Sequence, residues 1–155
     1  MPDSKWDEML AAAAGEVLET MFFTPVYGPA PAGASVSGPR MAARISFQGT
    51  PSGVLILSVP EPAARALAAN FLASEGDDPL PVSQLRGVVS ELANMVCGSL
   101  LSRVESEEHF RLSSPELLAE GAVFPPGQPN QSLAVSEDEG DGAIDLWLAL
   151  EHYVN

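Results

Sequence analysis

Glu91 and Asn94 are the residues of this chain whose types and spacing invite a chemical reading. A carboxylate and a carboxamide three positions apart on a helix lie on one face, about 4.5 Å apart along the axis. The carboxylate accepts hydrogen bonds and can pair with a cation. The carboxamide can accept from and donate to one water, fixing its orientation without acting as a base. At about 100° per residue, Gly87, Gly98 and Glu105 fall on the same face. Each glycine inside a helix costs about 1 kcal/mol relative to alanine, so local stability does not account for them. A partner backbone that must come close to Glu91 and Asn94 would. Taken alone, the pair also describes an ordinary solvated helix face.

The element that must position the pair is residues 81–104, PVSQLRGVVSELANMVCGSLLSRV. Its apolar positions Leu85, Val88, Val89, Leu92, Val96 and Leu100 form one broad stripe, predicting an amphipathic helix with the motif on its far side. Other candidate chemistries are weaker. Carboxylates at Glu137, Glu139 and Asp141 followed by Gly142 imitate the start of a calcium loop. The twelfth position is Leu148, where a bidentate Glu is required, so a solvated hairpin turn is the better reading. His109 and His152 are isolated, which leaves no zinc pattern, and no Gly-x-Ser-x-Gly elbow or phosphate-cradling glycine loop is found. Cys97 has no His or basic neighbour in sequence and reads as a small buried hydrophobe.

With 155 residues and 46% hydrophobic content, the chain suits one domain, residues 1–155, with a real core. Twenty-one acids against 7 bases give a formal charge of −14, which argues against nucleic acid and against anionic lipid as partners. A partner should be neutral or carry exposed Lys and Arg. No apolar run reaches the ~18 residues that span a bilayer. Met9 to Ala14 fail as a signal-peptide core because Asp3, Asp7 and Glu8 stand where positive charge is expected. Together with the lone cysteine, this points to the cytoplasm.

In chain order, Asp3 or Ser4 can cap a helix over about 5–23, stopped by Thr24-Pro25. A Pro/Gly/Ala/Ser-rich loop fills 25–40, with a short strand around Val26 allowed. Residues 41–48 and 52–60 read as strands of an antiparallel hairpin, and EPAARALAANFLA as a helix with Pro62 in its first turn. An acidic loop then leads to the motif helix. After it, RLSSPELLAEG reads as a Pro-containing turn leading into a short apolar segment, and residues 132–136 and residues 143–153 read as strands. In the last, Ile144, Leu146, Leu148 and Leu150 alternate with Asp145, Trp147, Ala149 and Glu151. The expected fold is α/β (α+β): an antiparallel-rich sheet with two long helices packed against it. The final strand is expected at an edge of the sheet, where it could pair with a second copy.

The phrase ELANMVCGSLLS resembles the signature of the CheC/CheX/FliY family of chemotaxis phosphatases, whose hallmark is a Glu-x-x-Asn pair on an exposed helix. Glu91 and Asn94 match the pair, and the order of elements is similar to that of the CheX-like members, which implies that RLSSPELLAEG is the strand following the motif helix. The fuller motif has Asp or Ser four residues before the Glu, where this chain has Gly87. Some members carry a second Glu-x-x-Asn on their first helix. Here the corresponding text is Glu16-Val17-Leu18-Glu19, so one site is counted.

The resemblance implies a phosphorylated CheY-type response-regulator receiver domain as substrate. Asn94 would position the attacking water and Glu91 would anchor a receiver lysine, while Gly87 and Gly98 give the partner room. It also implies that this chain binds no cofactor or metal of its own, that Mg²⁺ resides on the receiver, and that the protein forms a homodimer. The alternative within the same fold is a module that docks a receiver without hydrolysis. A small-molecule binding domain is more remote, because the sequence offers no convergent polar cluster for a ligand.

Overall fold

A computed structural model describes residues 3–28, 40–49, 51–72, 80–104, 109–118, 129–135 and 143–151. The elements are α1 (Asp3–Met21), β1 (Arg40–Gln48), β2 (Gly53–Pro60), α2 (Glu61–Phe71), α3 (Val82–Ser102), β3 (Arg111–Leu112), β4 (Glu116–Leu118), β5 (Gln131–Ala134) and β6 (Ala143–Leu150). The expected hairpin forms, with β1 and β2 antiparallel from Arg40 opposite Pro60 to Phe47 opposite Gly53. The sheet order is β3-β1-β2-β6-β5, with β4 also pairing β1, and every pairing is antiparallel. The mixed helical and antiparallel fold is the one read from the sequence.

Period-two alternation sends Ala43, Ile45 and Phe47 of β1, Leu55, Leu57 and Val59 of β2, and Ile144, Leu146 and Leu148 of β6 into one core cluster. The helices meet them there with Trp6, Leu10, Val17, Leu18, Leu67, Leu92, Val96 and Leu100. α3 packs on β1 and β2, with α1 and α2 against its flanks. Both α1 and α3 contribute small residues to the core, Ala13, Ala14, Ala93 and Cys97, which lets their backbones come close. Cys97 is buried as expected, and burial pushes its thiol up to about 12.

α1 stops earlier than Thr24-Pro25 required. Phe23 takes a left-handed φ of 51°, and the Thr24 amide reaches back to the Leu18 carbonyl at 2.8 Å. The turn is tied to α2. The Phe22 and Phe71 rings stack with centroids 4.8 Å apart, and Asn70 Nδ2 donates to Thr24 Oγ1 at 3.3 Å. Met21 and Leu72 are exposed, while the neighbouring Phe22 and Phe71 pack against the core. No strand forms around Val26. The adjacent Tyr27 amide donates to the Ala134 carbonyl at 2.8 Å, and the Ala134 amide to the Gly28 carbonyl at 3.0 Å.

The position of β6 differs from expectation. It is an interior strand, paired to β2 from Gly53 opposite Leu150 to Ser58 opposite Asp145, and to β5 on its other side. Over Ala143–Leu146 it therefore offers no free edge for a second copy, and beyond that stretch the Leu148 amide donates to Asn130 Oδ1 at 2.8 Å. Its alternation, buried at 144, 146 and 148 and partly exposed at 145 and 147, is the one predicted. The strand after the motif helix is present in two pieces, β3 and β4, separated by Ser113-Ser114-Pro115 and both on the outer side of β1. Proline cannot donate to a ladder, so this interruption is tolerated at an edge. Glu105, the acidic 73–79 and 136–142 turns, much of both Pro-rich loops, and His152 lie outside the described residues.

The sheet face away from the helices carries a polar cluster. Arg40 donates through Nε to Ser58 Oγ (2.8 Å) and through Nη2 to the Ala143 carbonyl (2.8 Å) and Asp145 Oδ2 (3.2 Å). Ser132 Oγ donates to Asp145 Oδ1 at 2.7 Å. Ser58 is fully buried, and burial lowers the pKa of Arg40 while Asp145 opposes that shift.

Candidate active site

α3 begins after Pro81, whose extended backbone and missing N–H suit the position before a helix, and runs to Ser102. Its predicted stripe is buried throughout, from Leu85 to Leu100, and Ala93, Cys97 and Leu101 widen it on one side. The polar face points out. Gly87 and Gly98 are exposed, and Glu91 and Asn94 are partly exposed between them. At helical pitch these four residues span an arc of roughly 60°. Among the described residues, neither the Glu91 nor the Asn94 side chain makes a hydrogen bond or ion pair. Both polar heads are thus free for a second molecule, at no cost in broken internal contacts.

Gly87 and Gly98 are equally unconstrained. A Cβ built on either meets nothing within 4 Å. The fold itself does not demand glycine at these positions, and α3 bears their propensity cost for no internal return. The result is a strip of bare backbone on each side of the Glu-Asn pair.

One contact near this face had no signal in the sequence. Arg103, the residue after α3, donates to Ser99 Oγ at 2.6 Å and to the carboxylate of Glu16 on α1. This pins the last turn of the motif helix to α1. Glu16 belongs to the text that stands where some relatives carry a second motif, and here it serves as the ion-pair partner of Arg103. The two residues are 87 positions apart, beyond any periodicity. Among the described residues there is no group of three or more metal-ligating side chains, and no helix is long and apolar enough to cross a membrane.

Residues 41–124, more than half of the chain, match the family described as chemotaxis phosphatase CheX. The chain belongs to the CheX family. No curated protein sequence matches it. Solved structures of similar fold include the chemotaxis protein CheX of Vibrio vulnificus, with TM-score 0.70, 18% identity and coverage of 94% of this chain and 96% of that one. The CheX of Desulfovibrio desulfuricans superposes with TM-score 0.70 at 16% identity, covering 95% and 99%. A third is from the CheX–CheY–BeF3–Mg²⁺ complex of Borrelia burgdorferi, with TM-score 0.67, 15% identity and coverage of 94% and 97%. At these identities the likeness is one of fold. The membership of the chain in a family of chemotaxis phosphatases rests on the family match.

Proposed function

We propose that this CheX-family chain accelerates hydrolysis of the aspartyl phosphate on a CheY-type receiver domain, with α3 as its catalytic element. The observation that carries the reading is the Glu91-Asn94 pair itself: outward-facing, without internal partners among the described residues, and flanked by two glycines with open space around them. The CheX of Borrelia burgdorferi, which shares this fold, has been crystallised with CheY.

In this account the receiver brings the phosphoryl group, Mg²⁺ and a lysine, which together neutralise charge on the transferring oxygens. Asn94 supplies what is missing, a water held in line with phosphorus, and so removes part of the entropic barrier to attack. The carbonyl oxygen of its carboxamide accepts from the water while the phosphate oxygens and the amide NH2 complete the cage. The proton leaves through the phosphate or bulk water, because an amide is too weak a base to take it. Glu91 pairs with the receiver lysine and sets the register of Asn94 over the acyl phosphate. Bare backbone at Gly87 and Gly98 lets the receiver loops approach, and the −14 charge of the chain favours encounter with a lysine-bearing surface.

The experiment is a phosphate-release assay of phosphorylated CheY-type receivers with and without the chain. Acceleration by catalytic amounts of protein supports the reading. A second reading, docking without hydrolysis, takes its support from Gly87 at the position where the fuller motif has Asp or Ser. It predicts saturable binding of the receiver with the rate of phosphate loss unchanged.

A further inference from the structure

The strip of Gly87, Glu91, Asn94 and Gly98 is too small to hold another protein by itself. A stable interface covers about 800 Å² on each partner, roughly 20–30 residues, so a molecule that docks on the strip must also cover one of its flanks. The two flanks differ. On the α1 side, Arg103 is already bonded to Ser99 Oγ and to the Glu16 carboxylate. On the other side, Val82, Arg86, Ser90 and Asn94 follow one another four residues apart, the spacing of a single ridge along a helix. Val82 and Arg86 are exposed, and Ser90 and Asn94 are partly exposed. The ridge therefore joins the motif to the first turn of α3 with no buried residue along it.

At its far end the ridge borders a depression beside the edge strand β4, lined by Met41, Val82, Arg86 and Leu117. Val82 and Leu117 are large apolar side chains left exposed there. Arg86 makes no hydrogen bond or ion pair among the described residues. Glu61, also at the depression, is engaged by Arg65 at 2.9 Å. The free charge beside this apolar edge is thus positive, in a chain of net charge −14.

We propose that the footprint of the receiver runs along this ridge, with a receiver carboxylate on Arg86 and an apolar receiver side chain over Val82 and Leu117, and that this contact selects which receiver is accepted. The proposal rests on the reading of α3 as the receiver-docking helix. Arg86 and Glu91 carry opposite charges and lie about 7.5 Å apart along the axis. A partner with a carboxylate opposite Arg86 and a lysine opposite Glu91 satisfies both in one orientation, and the reversed orientation sets like charges together. Arg86 is about 12 Å along the axis from Asn94, too far to reach the phosphoryl group, so it acts on binding and not on hydrolysis.

The test measures receiver binding and, separately, phosphate release over a range of concentrations of a phosphorylated CheY-type receiver. Arg86→Glu should raise both the dissociation constant and the receiver concentration for half-maximal release about tenfold or more, with the rate at saturation unchanged. Val82→Asp, which places a charge where an apolar contact is expected, should act in the same direction. Arg44→Glu makes the same change of charge at an exposed position on the sheet face away from the helices, and should leave binding as in wild type. Equal binding by wild type and Arg86→Glu overturns the proposal. So does an equal loss in Arg44→Glu, which would assign the effect to net charge, or a fall in the saturated rate with binding unchanged. Because binding is read apart from release, a chain that docks the receiver without hydrolysis overturns the proposed function alone, and loss of that docking in Arg86→Glu still supports the footprint.

Discussion

Replacing Gly87 and Gly98 by alanine separates the demands of the fold from those of a partner. In the interior of a helix, Gly→Ala gains about 0.8–1 kcal/mol when the new methyl group meets nothing. Both positions meet that condition, with no heavy atom within 4 Å of an added Cβ. Eleven residues and about 16 Å of axis separate them, so the gains should add to about 2 kcal/mol in the double variant. For a chain of this size that raises the thermal midpoint by roughly 4–8 °C. On the proposed docking face the same methyl groups should intrude on a receiver backbone. Overpacking costs of about 1–3 kcal/mol translate to binding weakened roughly 5- to 150-fold. Calorimetry or chemical denaturation reads the first effect, and receiver titration reads the second. A double variant that is more stable and still binds and dephosphorylates the receiver normally would refute the claim that these glycines exist for close approach. A destabilised variant would refute the claim that they are unconstrained by the fold.

Glu91→Ala should raise the receiver concentration needed for half-maximal phosphate loss and also lower the rate, and Glu91→Lys should be worse because it sets like charges together; steady-state kinetics distinguish them. Asp145→Ala removes the counter-charge of the poorly exposed Arg40 and should cost about 3 kcal/mol in urea denaturation, with Arg40 left short of one more partner. Cys97 keeps its proton in the folded state up to about 12, whereas an unfolded thiol ionises near 8.5. Its contribution to stability is therefore complete below the unfolded value and is lost as pH rises from there toward 12, by about 1.4 kcal/mol per pH unit. Denaturation at several pH values should show this slope, and Cys97→Ala should lack it.

The parts of the fold set by local periodicity were legible in the sequence. The stripe from Leu85 to Leu100 placed the motif on the outer side of α3, and the alternation around Ile45, Leu55 and Leu146 marked three strands and their buried faces. What escaped depends on long-range pairing. The alternation of β6 reads the same at an edge as in the interior, and only its pairing with both β2 and β5 takes up the edge over Ala143–Leu146. The end of α1 coincides with the left-handed Phe23 and with the Phe22–Phe71 stack, an encounter across 49 positions that local signals do not report. The tie from Glu16 to Arg103 is likewise a product of topology. The polar cluster of Arg40, Ser58, Ser132 and Asp145 draws on four strands, so no local pattern announced it. Glu91 and Asn94 were legible as a pair, since three positions on one helix need no tertiary information.

The most direct test of the central claim is the rate of phosphate loss from a phosphorylated CheY-type receiver in the presence of wild-type chain and of Asn94→Ala. The Asn94 side chain makes no hydrogen bond or ion pair among the described residues, so the substitution breaks no internal polar contact there and removes the group that orders the water. The account predicts that wild type accelerates phosphate loss and that Asn94→Ala falls back to the rate of the receiver alone while still binding it. Equal acceleration by wild type and Asn94→Ala would contradict it.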